Sequence, residues 1–424
     1  MKKLFIPLLF LIITISCSTT PMPKNNSDSF IIPQDFFGMV HAGRNASDEE
    51  IKLLDEMGVV WFLYTFHWEY IEKEKGVYDF SRFDDFVETS KKRGNKVIAV
   101  LAYGTPQIIE ETGKKRYVPP KYLPDYLNYV EALVTRYKDK VDAWQVWNEP
   151  NWIFWRGTDK EYYNLSKQAV KRIREVNPDA YIIGGGFART PKNFIRKMNK
   201  AGALENLDAI SFHPYDINPA GAMKLHDDFL KLLNEINFDK DVWITEVGYP
   251  TGGWYPTKVS LDNMPSYVIK TIVGAAARDT KVLLWYQFFD RHLPGKAPNS
   301  YDSEQFFGLV YRDYSRKDGS WAYELCARYL PGSLYVPELP VKENIPNGIV
   351  SFCFLNENGS NTLILWNDKN TKKKIKISIP ASFTLHEIST GKGTSYSDEI
   401  ILEIKNEPVF ITWKDTSSVK ISKF

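Results

Sequence analysis

Between Phe36 and about residue 330 the chain alternates short apolar runs with amphipathic segments eight times, and no other feature restricts its fold as tightly. The apolar runs fall at 36–41, 59–66, 96–101, 141–147, 180–184, 207–212, 242–246 and 282–288. Each is followed by residues at helical spacing. Parallel strands need long crossovers to return beside one another, so this pattern predicts a parallel sheet covered by helices. The helical segments carry their own start and stop signals. Ser47 with Glu50 has the spacing of a capping box, with Ile51, Leu54 and Met57 as an inner face and Gly58 just past the end. Ser81 with Asp84, ending at Gly94, and Thr158 with Glu161 repeat the start signal, Thr190-Pro191 opens another helix, and 321–330 closes the series. Eight such units over roughly 300 residues predict an α/β fold, a (β/α)8 TIM barrel, over residues 33–332.

The pattern changes after about Pro331. The stretches 348–366 and 373–413 alternate polar and apolar residues, as in Ile375, Ile377 and Ile379, with turn signals at Asn358-Gly359 and Thr390-Gly391. Residues 333–424 are therefore expected to form a small C-terminal β-sandwich. At the other end, Lys2 and Lys3 precede an apolar run over 4–15, too short to span a bilayer, and then Ser16-Cys17. This resembles the signal of an exported bacterial lipoprotein, although Thr14 stands where that pattern favours leucine. The resemblance implies removal of residues 1–17 up to a lipidated Cys17, a periplasmic or cell-surface location and a membrane anchor as partner. An ordinary cleaved secretory signal is the alternative. Residues 18–32, opening with STTPMPKNNSDS, have the composition of a flexible tether.

A net charge of +2 gives no electrostatic case for nucleic acid. Six scattered histidines lack metal-ligand spacing, and the Gly184-Gly185-Gly186 run lacks that of a phosphate loop, so no metal and no cofactor is expected. Three cysteines are too few for a disulfide framework; with Cys17 set aside, Cys326 and Cys353 read as buried thiols or as a single bridge. Aromatic residues make up 14% of the chain, enough to supply both core filling and flat platforms for the C–H faces of sugars.

Two apolar runs end alike. Trp147-Asn148-Glu149-Pro150 closes the fourth, and Trp243 to Pro250 (WITEVGYP) closes the seventh with Glu246. Proline stops each from continuing as a strand. A carboxylate at the C-terminal end of a barrel strand lies where such barrels keep their sites. Two of them are what glycoside hydrolysis needs, one to protonate the leaving oxygen and one to attack or assist. Each alone could equally be a strand-end acid in an ion pair.

Together, WNEPN at 147–151 and WITEVGYPT at 243–251 resemble the acid/base and nucleophile motifs of the clan A retaining glycoside hydrolases, closest to family 39, over about residues 33–420. The resemblance implies double displacement on a β-linked glycoside or polysaccharide, with Glu149 as acid/base and Glu246 as nucleophile. Proximity and burial are expected to raise the pKa of Glu149. It implies further that Asn148 binds the sugar 2-hydroxyl, that His213 and Tyr215 form a polar pair beside the nucleophile, and that Trp285 floors the subsite of the cleaved sugar. The bland alternatives are a turn residue for Asn148, a structural histidine, and core packing for Trp285. His41, Trp68 and Tyr103 follow strands one to three, where barrel sites also draw residues. The loops 152–155 (WIFW) and 252–255 (GGWY) are candidates for outer subsites or for packing on each other. One departure stands out: Trp61-Phe62-Leu63 places leucine where the clan often has an arginine that holds the nucleophile, and Arg44 is the candidate substitute. Loss of that cation would raise the nucleophile's pKa. It also keeps open a carbohydrate-binding lipoprotein without turnover, on a degenerate barrel, and a surface lipoprotein that kept only the fold.

Overall fold

The computed structural model describes residues 29–424 except 254–257, 293–300, 358, 370 and 415–418. The proposed signal, Cys17 and tether residues 18–28 lie outside the described residues, as do Trp254, Tyr255 and Asn358.

Eight parallel strands close into a barrel: β1 (Phe37–Val40), β2 (Trp61–His67), β3 (Lys96–Ala102), β4 (Ala143–Val146), β5 (Ile182–Ala188), β6 (Ala209–His213), β7 (Asp241–Val247) and β8 (Val282–Trp285). β8 pairs back onto β1 through Leu283 opposite Phe37. The helices that follow them in turn are α1 (Asp48–Glu56), α2 (Ser81–Lys92), α3 (Leu123–Tyr137), α4 (Asp159–Val176), α5 (Lys192–Lys200), α6 (Pro219–Glu235), α7 (Met264–Ala276) and α8 (Asp318–Tyr329). None of the described helices is long and apolar enough to cross a membrane.

The start signals are realised unevenly. Thr158 and Glu161 form a full reciprocal capping box on α4. Ser47 accepts from Glu50 N–H, but the Glu50 carboxylate turns to Gly43 N–H instead of returning to the cap. α2 begins at Ser81 without the expected box: Ser81 bonds Asp79, and Asp84 is taken by Arg136.

Strand geometry sends successive side chains to opposite faces, and the barrel separates them cleanly. Val40, Leu63, Ile98, Ala143, Ile183 and Trp243 fill the bore, while Phe62, Val97, Trp144, Ile182, Ile244 and Leu283 pack under the helices. Nearer the C-terminal mouth the inward positions turn polar, with Gln145, Ser211, Thr245 and His213 all fully buried. A polar layer above an apolar plug leaves the barrel sealed below and chemically equipped above.

The C-terminal region is all-β, as expected, and its strands belong to one hydrogen-bonded nine-stranded sheet. One face, through Phe354, Ile364, Trp366 and Phe410, joins the core of the barrel's helical layer. The other has its own core of Cys353, Leu363, Ile375, Ile377, Phe383 and Ile421. The long strand Lys373–His386 pairs with Gly393–Ile404 along its length and is bulged between Ile379 and Ser382. The tether ends earlier than its composition suggested: Phe30–Ile31 pairs antiparallel with Leu334–Tyr335 in this sheet, and Ile32 is fully buried. Apolar residues at 30–32 have a place to go that the polar residues before them do not. Cys326 and Cys353 are buried free thiols.

Candidate active site

The site is built at the ends of β4, β6 and β7. Past β4, Trp147 and Glu149 both adopt left-handed backbone, at φ 71° and 44°. That conformation costs a side-chain-bearing residue of order 1–3 kcal/mol. It is held in place by Glu149 N–H donating to Gly186 O (2.9 Å) and Trp152 N–H donating to Glu149 O (3.0 Å). The turn swings the Glu149 side chain over the bore. There its Oε1 lies 2.9 Å from His213 Nδ1, at the end of β6. Glu246, near the end of β7, brings Oε2 to 3.7 Å from the same nitrogen and accepts from the Tyr215 hydroxyl at 3.3 Å. Carboxylate oxygens of the two glutamates and a His213 nitrogen all fall within 4.8 Å of one another. Glu149, Glu246, His213 and Tyr215 are thus brought together.

The imidazole is the hinge of this cluster. Its Nε2 is 3.1 Å from Thr245 Oγ1, so both ring nitrogens carry hydrogen bonds inside the barrel. These three side chains are the one group among the described residues whose ligand atoms sit close enough to share a metal ion. Both His213 nitrogens lie within hydrogen-bond distance of a side-chain oxygen, Glu149 on one side and Thr245 on the other. Beneath lies Gln145, which receives the Ser211 hydroxyl (3.2 Å) and donates to Trp147 O (3.0 Å), while Ser211 Oγ accepts Gly186 N–H (2.8 Å). Gln145, Ser211 and Thr245 were missed from sequence. Their signal was available: polar residues at inward positions of otherwise apolar strands.

Burial, opposed by the His213 charge but helped by Glu149 and Glu304, pushes Glu246 up to about 7. The upward push on the proposed nucleophile is the one expected from the missing arginine. Burial works to lower the pKa of His213, and the attraction of Glu246 and Glu149 outweighs it, so the imidazole is raised. The departure at β2 fits this picture. Leu63 is buried in the bore, paired across to Val40 and Ile98. Arg44 donates to the Tyr64 hydroxyl (2.9 Å) and lies over that ring, so it does not replace the missing cation. Among the described residues no guanidinium contacts Glu246.

The remaining candidates divide. Asn148 is buried next to Glu149 in the chain, and Tyr103 packs edge-on to Trp147 at 5.1 Å and feels the charges of Glu246 and Glu149, so both border the glutamates. His41, at the end of β1, is solvent-accessible yet ringed by protein, as a residue in a concavity is. Burial there and the nearby Arg291 charge push it down to about 4. Trp68 is not at the site. It is fully buried, stacked on Tyr129 at 5.5 Å, with its indole N–H on Glu72. Trp285 is misassigned as well: it points into the helical layer beside Tyr249. Its neighbour Tyr286 faces the mouth instead, 5.7 Å from His41 and 6.3 Å from Tyr215, with its hydroxyl on Glu304 at 2.7 Å and also accepting from Arg291. A one-residue step along a strand exchanges faces, and the sequence offered two adjacent aromatics. In the β4 loop, Trp152 and Ile153 are exposed while Trp155 packs on Trp147.

Comparison with known proteins places this architecture. Residues 53–232 match the model of glycosyl hydrolases family 39. A β-xylosidase from Caldicellulosiruptor saccharolyticus is 34% identical over 127 residues, which is 27% of this chain and 25% of that protein. The match thus spans about a quarter of the curated relative's length. Among solved structures, a family 39 glycoside hydrolase from Bacteroides cellulosilyticus WH2 superposes with a TM-score of 0.71 at 21% identity, over 90% of this chain and 81% of that one. A monomeric β-xylosidase from Caulobacter crescentus CB15 gives 0.65 at 14%, over 90% and 96%. A GH30 xylanase C catalytic domain from Talaromyces cellulolyticus gives 0.61 at 15%, over 92% and 100%. At these identities the superpositions establish the shared barrel fold. Family match, closed barrel and strand-end glutamates agree: over residues 53–232 the chain is similar to glycosyl hydrolases family 39, and it shares the barrel fold of the family 39 and GH30 structures.

Proposed function

We propose that the protein hydrolyses a β-linked glycoside with retention of configuration. The observation that carries this reading is the approach of Glu149 and Glu246 to within 4.8 Å across the mouth of the barrel. Retaining enzymes hold their carboxyl groups about 5–5.5 Å apart, whereas inverting ones leave about 6.5–9.5 Å for a water molecule. In the first step an oxygen of Glu246 attacks the anomeric carbon while Glu149 gives its proton to the departing glycosidic oxygen. In the second, Glu149 takes a proton from water, which displaces Glu246 from the same carbon. Tyr215 and His213 hold the attacking carboxylate, and Asn148 and Tyr103 lie where they can meet sugar hydroxyls. The family 39 match and the similarity to a β-xylosidase support a carbohydrate substrate and make an aryl β-xyloside the first probe.

Proton NMR of the first-formed sugar tests this. The β-anomer should appear first, and Glu246→Gln and Glu149→Gln should each lose about 100-fold or more in kcat. An α-anomer appearing first would sink retention. Undiminished variants would sink the assignment of the pair. The N-terminal sequence further supports export and anchoring through Cys17. Cys17→Ala should release the protein from the membrane fraction, and its retention there would overturn that part of the reading.

A further inference from the structure

We propose that the sugar bound at the His41–His67 end of the site carries a negative charge, a uronic acid carboxylate or a sulfate ester, which Arg44, Arg82 and Arg116 receive. The proposal rests on the glycosidase reading and names its substrate class. His67 ends β2 and lies 5.5 Å from the Tyr103 ring, which packs 5.1 Å from Trp147, two residues before Glu149. This end therefore adjoins the reacting centre. Three arginines from separate segments surround it: Arg44 after β1, Arg82 in the first turn of α2, and Arg116 after β3.

Each guanidinium rests on an aromatic ring. Arg44 lies 5.2 Å over Tyr64, Arg82 lies 4.2 Å over Tyr70, and Arg116 lies 3.8 Å over Phe154 and 5.8 Å from Tyr103. Among the described residues none of the three has a carboxylate partner. Arg93, Arg136, Arg172, Arg174, Arg196 and Arg278, elsewhere on the barrel, all have one. The Nε of Arg44 is buried without a hydrogen bond. The nearby Lys115 is already paired with Glu69 at 3.2 Å. Burial, then the charges of Lys115, Arg82, Arg116 and Arg44, push His67 down to about 4, so the imidazole is neutral and adds no cation of its own. Stacking fixes the plane of a guanidinium and leaves its N–H edge for a two-pronged contact with carboxylate or sulfate. Glu69, 3.6 Å from His67, is the carboxylate at this end and is taken by Lys115, so three guanidinium charges stay unbalanced; they repel one another, and an anionic ligand relieves that repulsion.

The test compares kcat/KM for nitrophenyl β-glucuronide, nitrophenyl β-glucoside and the sulfate ester of that glucoside. One or both anionic glycosides should be favoured by about tenfold or more, the size of a charge-assisted hydrogen bond. Which of the two leads separates carboxylate from sulfate. Arg116→Ala, and separately the exposed Arg82→Ala, should each shrink the anionic-to-neutral ratio several-fold, and raised salt should do the same in the unaltered protein. Equal or greater activity on the neutral glucoside, or a ratio indifferent to salt and to both substitutions, would overturn the proposal while leaving the glycosidase reading intact. Calorimetry of Glu246→Gln with glucuronate and with glucose decides the matter if nothing is turned over. Binding of glucuronate alone, weakened by Arg116→Ala, sustains the charged subsite even where the catalytic reading fails; equal binding, or none, removes it.

Discussion

Replacing His213 with phenylalanine tests the electrostatics of the glutamate pair directly. The imidazole is fully buried and sits 3.7 Å from Glu246 Oε2 and 2.9 Å from Glu149 Oε1. Two unit charges 3.7 Å apart, at an effective dielectric constant of about 20 to 40, attract by about 2–4.5 kcal/mol, or about 1.6–3.3 pKa units. Glu246 stands at about 7 with that attraction present. Removing the cation must raise it further, because nothing then offsets burial and the Glu149 charge except the Tyr215 hydroxyl. The two groups titrate as a coupled pair, so the expected shift is smaller than the full attraction, about one unit or more. The assay is the pH dependence of kcat/KM on a dinitrophenyl glycoside. Its leaving group needs no protonation, so the acidic limb reports the nucleophile alone. The limb should lie near pH 7 in the unaltered protein and move upward in His213→Phe, with the fold confirmed by circular dichroism. A limb that stays put, or moves toward acid, would refute the reasoning. It would mean that the imidazole is neutral where Glu246 ionises.

Three further outcomes follow from the packing. Tyr286→Phe should raise KM several-fold, since it removes the hydroxyl that ties Glu304 and Arg291 to the mouth. Trp285→Phe should lower Tm and leave KM alone, and the opposite pattern would restore Trp285 to the site. Lys317 and Asp290 form a fully buried pair at 2.8 Å, with Lys317 also donating to Thr251 at 2.9 Å. Lys317→Met should cost about 3–5 kcal/mol by stranding Asp290, and Lys317→Met with Asp290→Asn should recover most of that in thermal melts. His226 is fully buried against Phe212, neither ring nitrogen has a hydrogen bond, and burial lowers its pKa well below the usual value. The unfolded chain then binds a proton that the folded one refuses, so stability falls as pH drops below about 6.5. His226→Phe should flatten that fall in denaturant titrations between pH 6.5 and 4.5, and an unchanged slope would acquit this residue.

What could be read from the sequence was what periodicity and chain stops encode. Eight apolar runs and their helices gave the barrel, because a strand buried on both faces must be apolar almost throughout. Both glutamates were legible because each ends an apolar run at the mouth, with a proline directly after Glu149 and four residues after Glu246. The capping box at Thr158 was equally plain, and the one suggested at Ser81 failed because Asp84 found a bidentate partner in Arg136, 52 residues away in sequence. Local pattern proposes a cap; a distant cation decides it.

Facing is harder to read than position. At β8 both Trp285 and Tyr286 suit a sugar platform, and only the pairing of Trp285 with Met39 on the neighbouring β1, both in the helical layer, decides which one looks inward. At β2 the same alternation places Leu63 inward at the level of Val40 and Ile98, in the apolar plug and below the polar layer that holds His213. An arginine there would have to reach upward past Thr65 to touch Glu246, and burying a cation in the plug without a partner costs several kcal/mol. This chain dispenses with the cation and leaves Glu246, the proposed nucleophile, to a histidine and a tyrosine. A carboxylate held that way titrates near neutrality, where one held by a guanidinium would be ionised throughout. The leucine therefore bears on the pH range in which the site can act, and it leaves the geometry of the glutamate pair intact.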